Sequence, residues 1–113
     1  MSGSELQNEM ATIRARVESE SVRITQHAHQ EMVAEAITLQ DVFEALAHGE
    51  ILENYPEHRR GACCLVGGIT ERGRPLHVVC TTAQPVVIVI TVYEPRPPKW
   101  VTPTKRGERE NAV

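Results

Sequence analysis

His27, His77 and Tyr93 are the side chains of this chain best suited to moving protons, and Arg74 and Arg96 are cations that could meet a phosphate. That set matches the needs of a metal-independent ribonuclease. A base of near-neutral pKa takes the 2′-hydroxyl proton, an acid supplies the leaving 5′-oxygen, and a cation stabilises the phosphorane-like transition state. His27, His77 and Tyr93 are the candidates for proton transfer, and Arg74 or Arg96 for the cation. Arg96 and Lys99 open a basic C-terminal stretch that either holds RNA phosphates or is a solvated terminus. Each candidate also has a plain structural role: His77 as a strand histidine, Tyr93 at a sheet edge with its hydroxyl in water, His27 bonded to backbone at a helix start. His29, His48 and His58 read as surface residues.

Other chemistries find less support. His27 and His29 are two apart, not the i, i+4 pair of a helical metal site. The three cysteines, Cys63, Cys64 and Cys80, are odd in number and have no CxxC spacing, so they read as reduced, partly buried thiols. A metal site from His27, His77 and a cysteine has no spacing signature, and no cofactor is implied. GxSxG, GxGxxG and Walker loops are absent. A net charge of −3 gives no global pull toward nucleic acid, so any basic patch must be local. The N-terminal residues lack the apolar core of a signal peptide, and the run Val86 to Val92 is too short to span a bilayer. The expected location is the cytoplasm, with no membrane partner.

The elements that must position these residues follow from periodicity. A chain of 113 residues with 41% hydrophobic content suits one domain with one core. Leu6, Met10, Ile13 and Val17 make a helical stripe over 5–19. Thr25 is an N-cap for a helix over 26–35. Thr38 and Asp41 frame a capping box for a helix over 39–48, with Gly49 as its natural C′ residue. The period then shifts to two. Strands are expected over 51–55, 63–70, 75–82 and 86–94, the last three joined as hairpins. The prolines after Glu94 argue for a tail that is largely disordered beyond Trp100. The domain reading is an N-terminal helical extension (1–21), an α+β domain (22–100) and a flexible basic tail (101–113). The fold class is α+β, with N-terminal helices packed on one face of a small antiparallel β-sheet.

Turn positions suggest registers. Pairing Thr70 with Arg74 sets Cys64 against Cys80 and Gly67 against His77. Pairing Thr82 with Val86 sets His77 against Thr91, with Tyr93 a diagonal neighbour. Alternation then puts Cys64, Val66, Leu76, Val78, Cys80, Val86, Ile88, Ile90 and Val92 on the helix-covered face. The other face carries Cys63, Leu65, Gly67, Ile69, His77, Val79, Thr81, Val87, Val89, Thr91 and Tyr93, with space beside His77 at the glycine. Its apolar part suits a partner or a homodimer through the open sheet face.

Six segments in order are similar to a bacterial family, domain of unknown function 4258: Ile24–Ala28, Ile37–Val42, Gly49–Pro56, Cys64–Gly67, Gly73–Val79 and Ile90–Pro95. The resemblance spans about 22–100. It implies kinship with RelE- and BrnT-like ribonuclease toxins, a RelE-like arrangement of helices on a small sheet, and an antitoxin-like protein as partner. The first expected function is therefore a metal-independent endoribonuclease of a toxin–antitoxin system, acting on RNA through His27, His77, Tyr93 and nearby arginines. The alternative is a non-catalytic protein-binding module of the same fold. Glu31 and Glu35 stand where members of the family typically carry arginines, which favours the module; His77 beside Tyr93 favours the nuclease.

Overall fold

The computed structural model describes residues 3–57, 61–97 and 100–107, with side chains from residue 7 onward except Val101. Three helices come first: α1 (Gly3–Glu18), α2 (Gln26–Glu35) and α3 (Leu39–His48), with the short strand β1 (Val22–Ile24) between α1 and α2. Strands β2 (Glu50–Tyr55), β3 (Cys63–Ile69), β4 (Pro75–Thr81) and β5 (Val87–Tyr93) follow, then a small hairpin of β6 (Trp100–Thr102) and β7 (Lys105–Arg106). The main sheet has the order β1-β5-β4-β3-β2. It is mixed, because β1 joins β5 in parallel while the other pairs are antiparallel.

Helix starts match the expected caps. Thr25 accepts from the Ala28 N–H at 3.1 Å. Thr38 and Asp41 bond reciprocally at 3.0 Å, closing a full capping box. Gly49 is not a left-handed C′ residue; its φ of −91° is extended. Its role is room. A Cβ there would lie 2.5 Å from the Ala45 carbonyl oxygen, and one on Gly68 would lie 2.0 Å from the same atom. Two glycines thus let α3 settle onto β3. The left-handed cap occurs at Ala36 instead, with φ 56° at the end of α2.

All three helices pack on one face of the sheet. Met10, Ile13 and Val17 of α1, Ala28 and Met32 of α2, and Val42, Ala45 and Leu46 of α3 meet Cys64, Val66, Leu76, Val78, Cys80, Val87, Val89 and Val92. The Leu6 side chain lies outside the described residues. The β3–β4 register is the expected one, with Cys64 opposite Cys80 and Gly67 opposite His77. The β4–β5 register is not. A bulge shifts it between Val79 and Cys80, so Val79 faces Thr91 while Cys80 faces Val89. One extra residue in β5 reverses alternation beyond it. Val87 and Val89, expected on the open face, are core residues, and Ile88 is turned outward.

Candidate functional site

The bulge brings His77 directly opposite Tyr93 rather than diagonal to it. Both lie on the face away from the helices, their rings 5.2 Å apart, with the Tyr93 hydroxyl 3.1 Å from His77 Nδ1. The residues expected to be a flexible tail in part form the β6–β7 hairpin, and it lies over this pair. Trp100 is 2% exposed and sets its indole edge-on to the imidazole at 4.3 Å. The Pro103 carbonyl at the hairpin turn accepts from His77 Nε2. A carbonyl can only accept, so Nε2 carries the proton and, in the neutral ring, Nδ1 accepts the Tyr93 O–H. His77 is fully buried. The gap expected beside its ring is partly taken up by Leu52, whose Cδ1 would lie 2.6 Å from a Cβ on Gly67, and a cavity of about 200 Å³ remains there, lined by residues that include Gly67, His77 and Pro103. Leu65, expected as exposed apolar surface, is 1% exposed.

Strand β2 supplies the clamp for the hairpin. Glu53 and Tyr55 point to the same face by the period of two. The Arg106 guanidinium donates to both oxygens of Glu53, one contact at 2.9 Å, and lies over the Trp100 ring at 4.8 Å. The Tyr55 hydroxyl donates to Glu53 as well. These bonds hold the Glu53 carboxyl down at about 2, the Arg106 hydrogen bond being the largest cause. Tyr55 is pushed up to about 12, first by burial and then by its bond to the carboxylate. Burial also raises Tyr93; a looser contact with the Trp100 indole opposes it, although Trp100 Nε1 meets no acceptor at hydrogen-bond geometry among the described residues.

The remaining candidates are elsewhere. His27 sits on α2, on the helix-covered side of the sheet, its side chain 65% exposed and 3.4 Å from Glu31. His77 is buried on the opposite side, so the sheet separates the two histidines. Arg74 is a strut: it bonds Glu94 at 2.9 Å and the carbonyls of Ala36 and Glu35 at 2.9 and 2.6 Å. Arg96 pairs with Glu35 and Glu94. Lys99 lies outside the described residues, as does His58; His29 and His48 are exposed. Among the described residues no three His, Cys, Asp or Glu side chains gather as a metal site would require, and the cysteines are buried and form no disulfide. No helix among them is long and apolar enough to cross a membrane.

Glu31 and Glu35 have a definite task. Strand β1 covers only residues 87–89 of β5, which leaves the later N–H groups of that edge unpaired. Glu31 accepts from Val92 N at 2.9 Å and Glu35 from Glu94 N at 3.2 Å. Glutamates four apart on a helix meet amides two apart on a strand, because one helical turn and two strand residues are of similar length.

Sequence reasoning missed Glu53, Tyr55, Trp100 and Arg106 as parts of this cluster. Their signal was modest: an i, i+2 pair on a strand, and a β-prone Trp-Val-Thr run turning at Pro103-Thr104 into Lys-Arg. The prolines before it outweighed that signal.

A family model, Domain of unknown function (DUF4258), matches residues 24–94. No curated protein and no solved structure matches the chain. The matched segment runs from the end of β1 to just past Tyr93, and so contains both His77 and Tyr93 and most of the sheet. The chain belongs to the DUF4258 family.

Proposed function

We propose that this chain is a non-catalytic protein-binding module. The observation that carries this reading is the closure of His77, which is fully buried with both ring nitrogens engaged. A general base must come within hydrogen-bond reach of the proton it takes. Here Tyr93, Pro103 and Trp100 occupy that space. Both described arginines expected to hold phosphate are also committed: Arg74 to Glu94 and α2, Arg96 to Glu35 and Glu94. A groove of about 550 Å³ lies open at the end of the sheet where β4 turns into β5, lined by Arg23, Thr81, Gln84, Pro85, Val86 and Ile88. Its mixed apolar and polar lining suits a protein segment.

A second reading, a RelE-like metal-independent endoribonuclease of a toxin–antitoxin system, draws on one observation. His77 and Tyr93 share a cluster with Arg106, which provides a proton-transfer pair and a cation without metal. It requires the hairpin to lift. The deciding experiment is cleavage of labelled RNA by the full chain in chelator, with His77→Ala as control. The module reading predicts intact RNA with both proteins. Cleavage by the wild type that vanishes in the variant establishes the nuclease.

A further inference from the structure

The open groove has one wall at the sheet edge. Arg23, at the centre of β1, pairs with Ile88 of β5, and the two line the groove together. Every other described arginine is held: Arg14 by the carbonyls of Ala47 and Gly49, Arg16 by those of Thr82 and Gln84, Arg72 by Asp41, Arg74 and Arg96 by glutamates, Arg106 by Glu53. Arg23 is exposed and has no hydrogen-bond or ion-pair partner among the described residues.

The backbone beside it is also uncommitted. Val87 N–H donates to the Ser21 carbonyl and Thr25 N–H to the Val89 carbonyl. In a parallel pair alternate residues bond the neighbouring strand, so residues 21, 23 and 25 bond inward. The N–H and C=O of Val22 and Ile24 then point away from β5, and no described residue takes them up. At the far half of β5 the Glu31 and Glu35 carboxylates cap the edge. At β1 nothing described does so.

We propose that the outer edge of β1 and the adjoining groove bind an extended segment of a partner protein, one that carries a carboxylate side chain where it passes Arg23. The proposal rests on the module reading and names its surface and ligand chemistry. The segment adds a strand to the sheet through Val22 and Ile24, the main-chain mode of peptide capture. An apolar side chain on its groove face packs against Val86 and Ile88, and its Asp or Glu meets the Arg23 guanidinium, whose fork suits a carboxylate. Charge argues against a second copy of this chain. An antiparallel β1–β1 pair spanning the whole three-residue strand places Arg23 opposite Arg23, and like charges directly opposed are destabilising.

The test is selection of phage-displayed random heptapeptides on the immobilised full chain, followed by affinity measurement against wild type, Arg23→Glu and Arg23→Lys. Arg23 is exposed, so its substitution leaves the core intact, and unchanged fluorescence of Trp100, the chain's single tryptophan, checks that. The expected result is a set of peptides combining Asp or Glu with Val or Ile. They bind Arg23→Glu at least about tenfold more weakly, the loss of a charge-assisted contact, and Arg23→Lys less so. Their binding also shifts the amide resonances of Val22 and Ile24. Peptides that bind Arg23→Glu as well as wild type overturn the proposal while leaving the module reading standing, as does a wild-type dimer in solution that Arg23→Glu dissolves. Selection of no peptide overturns the proposal too, and cleavage of RNA by the same preparation overturns the module reading itself.

Discussion

Trp100 meets the His77 imidazole edge-on at 4.3 Å, and the hairpin that carries it places the Pro103 carbonyl on the same ring. A buried histidine is thereby satisfied by the C-terminal segment rather than by the sheet alone. Trp100→Ala removes an almost fully buried indole and leaves the space above His77 open. We expect a loss of about 3 kcal/mol, at the lower end for large aromatic truncations because the hairpin can partly collapse. Urea denaturation followed by circular dichroism checks it.

The Glu53–Arg106 pair should make hairpin closure sensitive to acid in one window. Glu53 is held at about 2 against an ordinary 4.5, so its contribution is complete above about 4.5 and is lost as pH falls through about 2. Trp100 emission followed from pH 6 downward should hold its folded position through pH 4 and shift only in stronger acid. Glu53→Gln should flatten the part of that transition owed to the pair. It should cost about 1 kcal/mol at neutral pH, because Arg106 is partly exposed.

Glu31 and Glu35 should matter through the edge of β5 that they cap. Each truncation to Ala leaves one strand N–H, Val92 or Glu94, without its carboxylate. The expected cost is about 1 kcal/mol each, since water can replace part of the bond. The double substitution Glu31→Arg with Glu35→Arg should cost more and raise aggregation, because an open strand edge invites pairing. Denaturation midpoints and light scattering read the two effects.

Asp41 closes the α3 capping box and receives Arg72 Nη2 at 3.0 Å on both of its oxygens. Burial works to raise its carboxyl, and the hydrogen bonds from Thr38 and Arg72 outweigh it, so the group titrates below the ordinary range. Asp41→Ala should cost about 2 kcal/mol. Arg72→Ala should cost well under 1 kcal/mol, because that side chain is 69% exposed. The two together give the coupling by a double-mutant cycle.

Ala36 holds a left-handed φ of 56° at the end of α2. A Cβ is disfavoured there and glycine is not. Ala36→Gly should therefore stabilise the protein by about 0.5 kcal/mol, after the greater chain entropy of glycine is set against the relief. A rise in denaturation midpoint measures it.

The elements governed by local chemistry were legible in the sequence. Thr25, Thr38 and Asp41 announced two helix starts, and pairing Thr70 with Arg74 across the turn set the β3–β4 register that places Gly67 opposite His77. What escaped was non-local. The β5 bulge depends on how the strand meets its neighbours, and no local pattern marks it; it moved Tyr93 from a diagonal to a direct partner of His77 and turned Val87 and Val89 inward. The hairpin was hidden because Pro95, Pro97 and Pro98 suggest disorder by composition, whereas the segment is held by tertiary contacts from Trp100 and Arg106. The sequence flagged Glu31 and Glu35 as unusual, but not that each sits opposite a strand amide needing an acceptor.

Whether His77 is closed to any substrate can be read by diethyl pyrocarbonate modification followed by peptide mass spectrometry. Exposed histidines such as His27 and His29 should react readily under native conditions, while His77 should stay unmodified until the protein is unfolded. Modification of native His77 at a rate close to that of His27 would contradict the closed site, and would return the nuclease reading to first place.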